Sequence, residues 1–85
     1  MSDAELRGLI RATLFRGSDA EFKEMLLSMK EAGLTQNKVY ECTLAVWREL
    51  DTAEHDRERD RLANWLDVIA GHVTPDCRIW EKRLA

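Results

Sequence analysis

Val39-Tyr40-Glu41-Cys42-Thr43-Leu44-Ala45-Val46-Trp47-Arg48-Glu49-Leu50 is the stretch whose reading decides the fold. Wound as a helix at about 100° per residue, Val39, Cys42, Val46 and Leu50 fall along one line. Tyr40, Leu44 and Trp47 form a second line beside it, and Thr43 sits between the two. The two lines make an apolar arc of roughly 200°, about twice the stripe of an ordinary surface helix. A helix that apolar needs cover from two or three sides. The covers are expected to be the other helices of the chain, a second copy of it, or both.

Working outward, Thr35 is the expected N-cap of this central helix, which predicts a helix over 36–50. Before it, Phe22, Met25, Leu26 and Met29 follow the i, i+3, i+4, i+7 spacing of an amphipathic helix, with Ala32 extending the stripe. Ser18 with Glu21 forms a capping box at its start, and Gly33 supplies its stop. Leu27 points away from that stripe. The first helix opens with the same device, Ser2 and Glu5, carries Leu6, Leu9, Ile10, Thr13 and Leu14 on one face, and ends at Gly17.

Beyond Leu50 the material changes. Asp51 to Arg61 is nearly all charge, with acidic and basic residues paired at helical spacings such as Glu54 with Arg57 and Glu58 with Arg61. Either one helix runs to about Ala70, or it breaks at Asp51–Thr52 and Thr52 caps a fourth helix. A helix of some 35 residues would be long for so small a chain, so the break is preferred. The fourth helix faces the core at Leu62, Trp65, Leu66 and Ile69 and stops at Gly71. Thr74-Pro75-Asp76 then has the form of a helix start, which predicts a short fifth helix to about Arg83 with Cys77, Trp80 and Leu84 on one face. Residues 1–85 therefore read as a single all-α domain, a small four- to five-helix bundle with helix 36–50 central.

Composition agrees. The chain has 45% hydrophobic and 34% charged residues, one proline and four glycines, as suits a small helical protein with a solvated exterior. A net charge of −3 opposes nucleic acid, whose binding calls for a basic patch that releases counterions. The N-terminus shows neither a basic nor an apolar leader region, and no apolar run approaches the length that spans a bilayer. The two cysteines, Cys42 and Cys77, have no framework spacing, and Cys42 lies in the most apolar stretch, where a reduced buried thiol is the commoner state. A reduced, cytoplasmic protein is expected, with no nucleic-acid or membrane partner.

Four constellations invite a functional reading. Asp51, Glu54, His55 and Glu58 would share one helical face and could ligate a divalent metal, but a site would need ligands from other helices, whose inward faces offer almost none. A hydrated charged face is the better reading, and no metal or cofactor is expected. Cys77 would sit in the first turn of the fifth helix, where the dipole lowers a thiol pKa, with His72 in the preceding link. A thiol enzyme also needs an orienting group, an oxyanion site and a cleft, and a packed thiol explains Cys77 as well.

The run Phe22 to Leu50, with Ala32-Gly33-Leu34-Thr35 as its turn, resembles a helix-turn-helix in outline. Its reading surface would be Gln36, Asn37, Lys38, Glu41 and Arg48, and Glu41 would face phosphates. Lastly, three tryptophans are spread over the third, fourth and fifth helices, and tryptophan is enriched at binding hot spots. The reading that remains is a non-enzymatic acidic helical interaction module, an adaptor, regulator or inhibitor. It would bind another protein or a second copy of itself through Tyr40, Leu44 and Trp47. DNA binding is the alternative, and thiol catalysis through Cys77 a remote one.

Overall fold

A computed structural model describes residues 2–50 and 54–83. It contains four α-helices, α1 (Asp3–Arg16), α2 (Asp19–Glu31), α3 (Gln36–Glu49) and α4 (Asp56–Ala70), and one 3₁₀ turn at Pro75–Cys77. No strand occurs among the described residues. The Cα radius of gyration is 12.0 Å, as close packing predicts for a chain of this length.

Each of the first three helices starts where its cap residue says it should. The hydroxyls of Ser2, Ser18 and Thr35 accept the backbone N–H of Glu5, Glu21 and Lys38, each at 3.2 Å. Glu21 completes a capping box by accepting the Ser18 N–H. At Gly33 and Gly71 the chain turns left-handed, with φ of 89° and 79°. Behind each glycine the next N–H reaches back to the helix, Leu34 to the Met29 carbonyl and His72 to that of Asp67.

The core is built as the stripes foretell. Leu6, Ile10, Leu14, Phe22, Leu26, Val39, Val46, Leu62 and Ile69 are sealed from solvent, and both central residues, Val46 and Leu26, are at 0% exposure. Helix α3 packs on α1 and α4, while α2 packs chiefly on α1. The whole first line of α3 is buried, Thr43 included; its hydroxyl donates to the Val39 carbonyl at 2.7 Å, so no polar atom is stranded there.

Two expectations need correction. The break between α3 and α4 exists, but α4 starts later than a Thr52 cap would set it: its N-cap is His55, with no side-chain cap bond. Asp51 and Thr52 themselves lie outside the described residues.

The fifth helix is a single three-residue turn, after which the chain leaves helical geometry at Arg78 and bends through 79–82. Tertiary anchors account for this. Ile79 is drawn into the core at 4% exposure, and its carbonyl accepts Lys30 Nζ at 2.8 Å. Gln36 Nε2 donates to the carbonyls of Ile69 and Lys82 at 2.8 and 2.6 Å, which pins the tail across the end of α4. An isolated helix of some ten residues is marginal, so these anchors decide the conformation. Cys77 is exposed and Trp80 half-buried, so the proposed common face does not form, and Leu84 lies outside the described residues.

Candidate protein-interaction surface

The Tyr40, Leu44 and Trp47 line lies along the outer shoulder of α3, and all three side chains are half-buried. Trp47 is held by its own chain. Its indole N–H donates to the Arg59 carbonyl at 3.2 Å, and the Arg59 guanidinium lies 3.9 Å from the ring centroid. The same guanidinium donates to the carbonyls of Trp47 and Leu50 at 3.2 and 3.0 Å, closing the C-terminus of α3. Tyr40 opens instead onto a polar cleft, shared with Gln36, Glu41, His72, Lys82 and Arg83.

Arg61 repeats this device two residues further on, toward the other side of α4. It donates to the Leu14 carbonyl at the end of α1 and to Asp19 Oδ1 at the start of α2, each at 3.1 Å. Trp65 stacks on Phe22 at a centroid distance of 4.8 Å and an interplanar angle of 23°. The charged opening of α4 is therefore more than a solvated face. Two of its arginines clamp the ends of other helices, and periodicity carried no signal of that.

An open apolar trough lies elsewhere, between α1 and α2. This trough of about 640 Å³ is lined by Leu9 and Thr13 of α1, by Met25, Met29 and Ala32 of α2, and by Leu34 of the following link. Leu9 is 40% exposed, the buried Met25 and Met29 form the floor, and Glu21, Glu24 and Ser28 complete the lining. In the sequence Leu9, Met25 and Met29 looked like ordinary core stripe. The legible hint was Leu34, an apolar residue just after a helix-stopping glycine, where a contact with the last turn is the rule.

The remaining constellations come out differently from their sequence pattern. Because α4 begins at Asp56, Glu54 and His55 precede the helix and cannot align with Glu58 on a helical face. Glu54 is exposed, and His55 meets the ring of Phe15 edge-on at 5.2 Å. Asp51 lies outside the described residues.

Cys77 sits in a one-turn element, with the Thr74 hydroxyl 3.4 Å from its sulfur. The multi-turn helix dipole invoked for its activation is absent. Burial pushes the Cys42 thiol above its ordinary pKa, and the Asp3 carboxylate adds to the rise, which keeps it protonated at neutral pH. On the opening of α3, Lys38 pairs with Asp3 at 2.6 Å. Arg11 pairs with Glu49 across the other end of the α1–α3 seam.

Compared with known protein families, with curated proteins and with solved structures, the chain matches none of them significantly. No helix of the described residues is long and apolar enough to cross a membrane.

Proposed function

We propose that this protein is a non-enzymatic interaction module that works by binding another protein. The observation that carries the reading is the α1–α2 trough, where Leu9 stands 40% exposed over a floor of two methionines. Exposed apolar surface that is contiguous and concave costs solubility and is ordinarily kept for a contact. Methionine suits such a floor because its flexible, polarisable side chain adapts to what it meets.

The Tyr40–Leu44–Trp47 shoulder is a second proposed contact. Its half-exposed aromatic residues favour this reading, and the Arg59 cover on Trp47 weighs against it.

Helix-turn-helix DNA binding has less support. Helix α2 packs on α1 rather than pairing closely with α3, and Lys38 on the would-be reading surface is already paired with Asp3. Glu41 also faces outward there.

A photo-crosslinking residue placed at Leu9, and in a second protein at Leu44, tests the reading in an extract of the source cell. A covalent adduct with another protein from either position is the expected result. Absence of any adduct from both, together with tight salt-sensitive binding to duplex DNA, would replace the interaction module with the DNA-binding alternative.

A further inference from the structure

We infer that the α1–α2 trough takes a basic amphipathic helix of a partner protein. The inference rests on the interaction-module reading and deepens it by naming the occupant. Three observations lead to it.

The first is charge. The charged residues of the lining are Glu21 and Glu24; the rest is apolar or small and neutral. Glu21 is partly occupied by its capping box, whereas Glu24 makes no ion pair among the described residues. An apolar bed with two carboxylates at one end, that of Glu24 unpaired, is complementary to an apolar stripe followed by Lys or Arg.

The second is shape. From Glu21 to Ala32 the trough follows α2 for about 17 Å, which is about three helical turns. A partner helix of that length sets two or three apolar anchors at i, i+4 and i+7 along it. Thr13, Ser28 and Ala32 are small, so the partner backbone can come close between Leu9 and Leu34.

The third is backbone chemistry. Both walls are helices whose N–H and C=O groups are used internally, so the trough has no free edge on which a strand could pair. Only side chains face the guest, and a helix presents side chains alone. A second copy fits less well. In a two-fold contact, trough meets trough, and a lining without Lys or Arg would face an identical one.

Two synthetic peptides of about 14 residues test this. Both carry leucines at i, i+4 and i+7; one has lysines on its polar face and the other glutamates. Binding is read by fluorescence anisotropy of the labelled peptide at physiological salt. The lysine peptide should bind at least about tenfold more tightly than the glutamate peptide. Glu24→Lys should erase that preference. Leu9→Asp should weaken the lysine peptide about tenfold or more while circular dichroism and a cooperative melt show that the variant is still folded at the assay temperature.

Equal binding of the two peptides, or lysine-peptide binding that ignores Leu9→Asp, would overturn the proposal. So would a wild-type dimer in sedimentation that Leu9→Asp converts to monomer, since a second copy would then fill the trough. Failure here remains distinguishable from failure of the broader reading. An adduct formed at Leu9 with an acidic or non-helical partner segment would remove the basic-helix occupant and leave the interaction module standing.

Discussion

The α3–α4 seam and the α1–α2 seam are made from similar apolar stripes and finished differently. Along the first, Val39, Val46, Leu62 and Ile69 are sealed, and Arg59 reaches back to cover Trp47 and to cap α3. Along the second, Leu6, Ile10 and Leu26 are sealed, yet Leu9, Met25, Met29 and Leu34 border an open trough. The difference lies in the number of neighbours. Helix α3 lies between α1 and α4, whereas α2 leans mainly on α1 and is tied to α4 at its start by Asp19 and Phe22. Width of an apolar arc therefore measures how much cover a helix demands, and a helix that demands most can be the one best served.

The largest effect is expected in the closed seam. Leu62→Ala should cost about 2–5 kcal/mol in denaturant unfolding, since Leu62 is wholly buried and its removal leaves a cavity. A cost below about 1 kcal/mol would mean that the seam is no tighter than the trough.

Gly71→Ala comes next. A side chain there would meet the Lys82 carbonyl at 2.8 Å and the Arg83 Cα at 3.0 Å, on a backbone with φ of 79°. A loss of about 2 kcal/mol or more is expected, with the tail displaced. Protease sensitivity that rises selectively after Trp80 would show the displacement.

Arg59→Ala should cost about 1–2 kcal/mol through two lost carbonyl caps and the cover on Trp47. Exposed Arg57→Ala should change stability by less than about 0.5 kcal/mol. A red shift of tryptophan emission in the first variant and none in the second would locate the effect.

Leu9→Ala, on the open seam, should cost no more than about 1 kcal/mol, because the residue is already 40% exposed. A core-sized loss would show that the trough is closed in solution.

The smallest effect concerns the Asp3–Lys38 pair at the surface. Its hydrogen bond and charge attraction hold the Asp3 carboxyl below its ordinary 3.8 and raise Lys38 above 10.5. The folded state thus binds the Asp3 proton less readily than the unfolded one. The contribution is complete above about pH 4 and is lost as pH falls through the lowered value. For Lys38 the sign reverses: the contribution is complete below about pH 10 and is lost as pH rises through the raised value. Asp3→Asn should lower the melting temperature slightly at pH 7, with the gap to wild type closing toward pH 2. A gap that persists at pH 2 would mean that the ion pair is not its origin.

Local chemistry made much of this protein legible from its residues alone. Hydroxyl caps at Ser2, Ser18 and Thr35, left-handed glycines at 33 and 71, and apolar spacing on four helices act within a few residues of themselves, so a linear reading finds them. That is why the all-helical class, the break after α3 and the burial of Leu26 and Val46 were foreseeable. Gly17 marks the limit of such reading. It ends α1 as expected, but at φ −100° with no left-handed turn, and what forbids a side chain there is the approach of Thr13 and Glu21.

The rest depended on partners distant in sequence. Pro75 and Thr74 opened a plausible helix, and the tail took a bent, non-helical path because Ile79 found the core and Lys30 and Gln36 held its carbonyls. Arg59 and Arg61 became helix caps because α4 crosses the ends of α3 and α1. The trough exists because α2 has one principal neighbour where α3 has two. Spacing along a chain says which residues seek cover; only the packing of the helices says which of them receive it.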